Sequence, residues 1–370
     1  VGQKDIVTLI NEMPKPHQKV LAYNKIYHEI NKEYGFNDAN EWLKNEYDGH
    51  LYMHDANTTS FVHYCFAYDL KDLAERGLFF IEHHNAEPAQ HLDVFIDFVK
   101  EFVSYVENRS SGACGLPNLI PYMYYFWSRD VKEGYYTRTP QKYAEHQIQR
   151  LIYAFNQPYT RNGIQSAFTN VSFFDRSYLE ALFGGSTFPD GEFMIDEMEG
   201  IMEFQKTFLT IMSDIRAKNM MTFPVSTISL LKKDGKFADE EFAVWACKHN
   251  MKWNDSNLFI DDSVTSLSNC CRLKSNIKDL GYFNSIGGTA LKVGSVKVST
   301  INLARLALEH RSETGYLEAL KKLVIIDLKA LDRVRYIIQR NVEKGLLKNF
   351  SYGLVDFEHL YNTIGFIGIY

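Results

Sequence analysis

Cysteine is scarce in this chain: five residues in 370, at positions 65, 114, 247, 270 and 271. An odd number without framework spacing excludes a small disulfide-stapled scaffold and leaves the thiols for chemistry in a reducing, cytoplasmic setting. Proline is sparse as well, nine in all, and no Pro/Ser-rich linker divides the chain. No apolar run approaches the roughly 20 residues that cross a bilayer, and the opening VGQKDIVTLI is neither a signal nor a transit peptide, so no membrane partner is expected. Long basic blocks are missing too. With 40 Lys and Arg against 46 Asp and Glu, the formal charge of -6 argues against DNA as a partner, while small nucleotides stay allowed. The chain opens on Val rather than Met, as a piece of a longer protein would.

What the chain does have is apolar and aromatic side chains. A 45% hydrophobic content with 26 Phe and 23 Tyr can bury a large core without staples. Leu92, Phe95, Val99, Phe102, Val103 and Val106 keep helical spacing, as do Met194, Met198, Ile201, Phe208, Met212 and Ile215. A third stripe runs through Leu317, Leu320, Val324, Leu328, Leu331, Val334 and Ile338. All three read as core faces. Between them the spacing predicts strands over 61–70, 168–174, 222–230 and 296–303. Strands separated by long helices imply an α/β fold, a barrel or a doubly wound sheet with parallel pairing. The expected organisation is a helical N-terminal approach, 1–50, leading into one compact unit, 51–370.

Five cysteines are few enough to take one by one. In FVHYCFAYDL, strand alternation puts Cys65 on one face with His63 and Asp69. The bland reading is a small buried side chain, because cysteine is among the most buried residue types. Cys270 and Cys271 are adjacent, and neighbouring Cα atoms sit only ~3.8 Å apart, closer than an unstrained disulfide allows. Each is therefore available to act on something else. They lie in DDSVTSLSNCCRLKSN, whose polar composition reads as a loop, and the following Arg272 would favour a thiolate. Cys114 in SSGACGLPN and Cys247 in the helical WACKHNM read as buried thiols without a role. A metal site could be drawn from His54, His63, His83 and His84, but their spacing is not that of ligands, so no metal is expected.

In order along the chain, HDANTTSFVHYCFAYDL, PYTRNGIQSAFTN, TFPVST, NCCRL and GSVKVSTINLARLAL resemble blocks of the anaerobic, class III ribonucleoside-triphosphate reductases, members of the glycyl radical enzymes. The resemblance implies a ten-stranded α/β barrel of two five-stranded parallel halves with a finger loop through its middle. It implies a thiyl radical on Cys271 that removes the 3′ hydrogen of the ribose, with Cys270 behind it and Cys65 supplying reducing equivalents as the 2′-hydroxyl leaves. Polar loops are expected to bind the substrate through Gln165, Thr169, Asn170, Ser226 and Thr227, with Asn302, on the same strand face as Thr300, orienting a sugar hydroxyl; each also suits a turn or a cap. The implied partners are ribonucleoside triphosphates, allosteric ATP and dNTP effectors, a radical-SAM 4Fe-4S activase, a thioredoxin-like reductant or formate, and a second copy in a homodimer.

Departures from the family pattern qualify this. No Arg-Val-X-Gly-Tyr block is present for the glycyl radical, and Gly368 in GFIGIY lacks the Arg setting. The zinc-binding segment and the N-terminal ATP-cone are missing from this sequence as well, so the chain is expected to be a barrel core without turnover of its own. Asn269 stands where formate-using members resemble one another in carrying Met, which favours a dithiol donor. Two other readings stay open. One is an acyl transferase like the related pyruvate formate-lyases, which also carry vicinal cysteines. The other is a non-catalytic nucleotide-binding or redox module.

Overall fold

The computed structural model describes residues 14–56, 62–82, 84–160, 165–262, 264, 266–268, 274–276 and 291–369. Its elements follow the apolar periodicity closely in the helices. From the N-terminus come α1 (Pro14–Tyr34), α2 (Phe36–Asp48), β1 (Leu51–Met53), β2 (Phe66–Ala67), α3 (Leu92–Glu107), β3 (Cys114–Leu116), α4 (Leu119–Glu133) and α5 (Pro140–Phe155). Next are β4 (Thr169–Phe174), α6 (Arg176–Phe183), α7 (Met198–Lys218), β5 (Val225–Lys233), α8 (Glu240–Trp253), β6 (Ser256–Asp261), β7 (Ser266–Ser268) and β8 (Lys274–Asn276). The chain ends with β9 (Val293–Asn302), α9 (Leu303–Glu309), α10 (Glu313–Glu343) and β10 (Leu360–Ile367).

Two compact units divide these elements. The first takes Val1–Phe66, Arg109–Gly112 and Gly294–Tyr370. In it β9 is the central strand, antiparallel to β1 (Leu51↔Ile301, Met53↔Ser299) and parallel to β10 (Gly294↔Leu360, Asn302↔Ile367). Helices α1, α2 and α10 pack together and bury Ile26, Ile30, Trp42, Leu331 and Val334. The second unit takes Ala67–Asn108 and Ala113–Val293. There β3, β4, β5 and β6 lie side by side, all parallel, with helices in every crossover, which is the α/β pattern the sequence implies.

Capping residues explain several helix starts. Thr139 accepts from Lys142 N and is followed by Pro140 at N1, and Asp175 and Asp239 accept from Tyr178 N and Phe242 N. The first two helical stripes match α3 and the stretch that opens as a 3₁₀ turn, Met194–Glu197, and continues as α7. In α10 the buried face is Leu323, Ile326, Ala330, Leu331, Val334, Ile337 and Ile338. Leu317 and Leu328, expected in the core, are exposed. They fall off that face by the 3.6-residue period.

Strand boundaries differ more. Of the strand expected over 61–70, only Phe66–Ala67 is regular among the described residues. Residues 63–65 bond instead to single backbone groups on either side, which interrupts a ladder. The strand expected from 222 starts at Val225, after a cis Phe223–Pro224 bond, because Pro lacks the N–H a ladder needs. The polar stretch read as a loop contains the antiparallel pair β7–β8, with Ser268 opposite Lys274. Residues 269–273 connect those two strands. The expectations for Cys270 and Cys271 thus fall outside the described residues, as do those for Phe61 and His83.

Candidate active site

In the first unit the chemistry gathers around Cys65, which is buried. Gly112 N–H donates to Tyr64 O (2.8 Å) and Ser111 N–H to His63 O (3.1 Å) on one side. On the other, Ser295 N–H donates to Cys65 O (2.8 Å) and Tyr64 N–H to Ser295 O (2.8 Å). Two glycines permit this approach. A Cβ on Gly112 would collide with Cys65 Sγ, and one on Gly294 would collide with Cys65 O. The thiol is therefore fixed by backbone on both flanks. Neither glycine was expected as a site residue, although each stands beside small residues, in SSGACG and VGSV, the composition that close backbone approach requires.

The histidines nearby are engaged within the fold. His63 has no exposure, its ring meets the edge of Phe350 at 5.5 Å, and Asn349 Nδ2 donates to its Nδ1 (3.4 Å). Burial pushes its pKa down to about 3, so it stays neutral near pH 7. His54 Nε2 bonds Thr300 Oγ1 at 2.8 Å. Among the described residues no three His, Cys, Asp or Glu side chains come together as metal ligands.

Lys297 is a further feature that sequence reasoning missed. It sits two residues past Ser295 on β9 with no exposure, its Nζ donating to Asp55 O (3.1 Å) and lying 5.8 Å from the centre of the Tyr64 ring. Burial pulls its pKa down to about 7 against the opposing charges of Asp55, Glu46 and Cys65. A lysine amid the small and apolar residues of VGSVKVSTIN was the available signal. On the same strand Asn302 accepts from Arg305 N–H (3.1 Å), capping α9, and its Nδ2 donates to Gly49 O (3.3 Å).

In the second unit the expected binding residues are on strands rather than loops, and alternation sorts them. The register pairs Asn170 with Val225 and Ser172 with Thr227, so Asn170, Ser172, Thr227 and Ser229 share one face of β4 and β5. All four are buried there. Asn170 Nδ2 donates to Val225 O (3.1 Å) and Thr227 Oγ1 (3.2 Å), while its Oδ1 and the Ser229 Oγ have no hydrogen-bond partner among the described residues. Buried polar atoms of this kind are suited to a ligand that completes their bonding. Ser172 and Ser229 were not singled out from sequence, although TNVSFF and VSTISL place a hydroxyl two positions beyond Asn170 and Thr227.

Thr169 and Ser226 point to the opposite face. Ser226 Oγ donates to Asp255 O (2.9 Å) and bonds Ser256 Oγ (3.0 Å). Asp255 also pairs with Arg216 of α7 (3.4 Å) and accepts from Ser213 (2.8 Å). Burial works to raise the Asp255 pKa, but bonds from His249 and Ser213 with the Arg216 charge outweigh it and hold it at about 2. This is a closed structural network. Gln165 is exposed and exchanges backbone bonds with Thr160 (3.1 and 3.3 Å).

Residues 11–370 match the family model described as anaerobic ribonucleoside-triphosphate reductase. Among solved structures, the anaerobic ribonucleotide reductase from Thermotoga maritima in complex with dATP and CTP matches with TM-score 0.87 and 41% identity over 98% of this chain and 59% of that one. The same enzyme with citrate in the active site matches with TM-score 0.86 and 40% identity, over 98% of this chain and 64% of that one. Another structure described as anaerobic ribonucleotide reductase gives TM-score 0.86 and 40% identity, over 98% and 57%. No curated protein matches. The chain thus spans about three-fifths of the length of these solved relatives.

Proposed function

This chain belongs to the anaerobic ribonucleoside-triphosphate reductase family, within the α/β class of the glycyl radical enzymes; from that premise we propose that, in the complete protein, it reduces ribonucleoside triphosphates to 2′-deoxyribonucleoside triphosphates. The observation that carries the reading is Cys65, a buried thiol held in place by Gly112 and Gly294. The frame is the family's ten-stranded barrel with a finger loop, which we assign to the connection between β7 and β8. Cys271 on that loop takes the 3′ hydrogen from the ribose, with Cys270 adjacent. The 2′-hydroxyl then leaves as water, and Cys65 provides reducing equivalents. A fixed sulfur favours this, because radical steps compete with side reactions unless the reacting atoms are held close and dry.

The polar face of Asn170, Ser172, Thr227 and Ser229 is our choice for binding the substrate. Its buried hydroxyls and amide offer both donors and acceptors to a ribose or a phosphate. Thr169, Ser226, Asn302 and Gln165 remain secondary, the middle two because their side chains already hold structural bonds. A glycyl radical raised by a radical-SAM 4Fe-4S activase would supply the unpaired electron, and we assign it, like the family's zinc, to no residue of this chain. The Thermotoga enzyme is described with dATP bound in a specificity site, which supports nucleotide effectors here. Homodimer assembly and a thioredoxin-like dithiol donor, with Cys65 passing through a disulfide, complete the proposal. No described helix is long and apolar enough to cross a membrane, and we place the enzyme in the cytoplasm.

The test is Cys65→Ala in the complete enzyme. Nucleotide reduction should fall by about 10³-fold or more while glycyl radical formation persists. Retained reduction would exclude the assigned role. A retained acyl-transfer activity, measured with acyl-CoA and formate, would favour the pyruvate formate-lyase-like reading, in which Cys65 has no part.

A further inference from the structure

The polar face of β4 and β5 continues onto β6. That strand pairs with β5 residue by residue, setting Asn257 opposite Thr227, Phe259 opposite Ser229 and Asp261 opposite Leu231. Partners on parallel strands project to the same side, so Ser172, Thr227 and Asn257 form one polar row across three strands. Strands lie about 4.8 Å apart, and the row spans about 10 Å. Its ends differ in access: Ser172 and Thr227 are buried, whereas Asn257, on a strand that pairs only with β5 among the described residues, is exposed.

The hydrogen bonding of the row is incomplete. Thr227 Oγ1 accepts from Asn170 Nδ2 (3.2 Å), which leaves the Thr227 O–H available to donate. Asn170 Oδ1 and Ser229 Oγ, on residues only 1% exposed, lack partners among the described residues. Asn257 adds a carboxamide, two donors and an acceptor, with no bond to any described residue. Charge then decides what the row can hold. On this side of β4, β5 and β6 the paired positions carry one ionisable group, the Asp261 carboxylate. The next cation along that side of β5 is Lys233, beyond the last β5–β6 pair and roughly 20 Å from Thr227. A triphosphate is held by Lys, Arg or a helix N-terminus, and a carboxylate repels it. A ribose is held by neutral groups that both donate and accept, which is what these strands present.

Resting on the reading of this face as substrate-binding, we propose that Asn257 is a further substrate-binding residue, and that the row it completes takes the ribose hydroxyls and not the triphosphate. The Asn257 carboxamide and the Thr227 hydroxyl bond the sugar from neighbouring strands. Asn170, by donating to Thr227 Oγ1, commits that oxygen as an acceptor and leaves its proton for the substrate. The sugar is the part that all ribonucleoside triphosphates share, so the contact does not depend on the base.

The experiment measures equilibrium binding to the full-length protein before activation, when substrate binds without turnover. Asn257→Ala should weaken CTP and GTP alike, by about five- to tenfold, the effect of one lost hydrogen bond. Cytidine, which keeps the sugar and lacks the phosphates, should lose the same factor when followed by ligand-observed NMR. Asn257 is exposed, so its variant should keep the wild-type unfolding midpoint, which separates a lost contact from a damaged fold. A loss confined to one base assigns the amide to base recognition and overturns the proposal. A loss for CTP that is absent for cytidine assigns it to the phosphates and overturns it equally. Thr227→Val and Ser229→Ala separate this claim from the one it rests on. If they weaken binding and Asn257→Ala does not, Asn257 alone is wrongly assigned. If none of the three variants weakens binding, the reading of the whole face falls.

Discussion

His63 shows how one buried side chain can set the acid limit of the fold. Its folded pKa of about 3 lies below the unfolded value near 6.5, so the unfolded chain binds the extra proton throughout that interval. Stability therefore rises as pH increases from about 3 to about 6.5, and is lost on acidification through the same window. Removing the titrating ring should flatten that dependence. Urea midpoints of His63→Gln and wild type, compared between pH 4 and 7, should diverge most at neutral pH and converge towards pH 4, the pH-dependent part amounting to roughly 3–4 kcal/mol. A variant with the wild-type slope would show that another group carries the acid limb. The residue was legible in the sequence as a neighbour of Cys65, whereas its burial against Phe350 was not, since that ring comes from almost three hundred positions away.

At the scale of elements, α10 provides the clearest contrast. Leu331 is fully buried and Leu317 is half exposed, although both fit a helical repeat when only sequence is read. Leu331→Ala should destabilise by about 2–5 kcal/mol, and Leu317→Ala by less than about 0.5 kcal/mol, measured by denaturant unfolding. Equal effects would mean that the helix end packs more closely than its exposure indicates. The same contrast explains what could be read in advance. Helices α3, α7 and α10 repeat their apolar residues over many turns, so their existence was evident. Strands β4, β5 and β9 were found near their true positions because apolar and β-branched residues cluster there. Residues 63–65 were not, because their backbone bonds come from Ser111, Gly112 and Ser295, partners that no local pattern announces. For the candidate site, Asn170 and Thr227 were legible as polar residues in a recognisable block. Their division from Thr169 and Ser226 required the register of β4 against β5.

For the molecule as a whole, a division into two compact units implies that unfolding need not be all-or-none. Leu331→Ala, in the first core, should lower the midpoint of one transition, while Ile228→Ala, in the second, should lower the other by a similar 2–5 kcal/mol. Segment-resolved hydrogen exchange on the two variants checks this. If each substitution accelerates exchange equally across both units, they unfold as one. The first unit is also discontinuous: β1 finds its partner only in β9, where Leu51 sits opposite Ile301. During synthesis the early helices must leave the ribosome and wait for some 250 further residues before the strand that completes their sheet exists. A helper that shields α1 and α2 through that delay would raise the yield of native protein, and a pause placed before residue 293 would lower it.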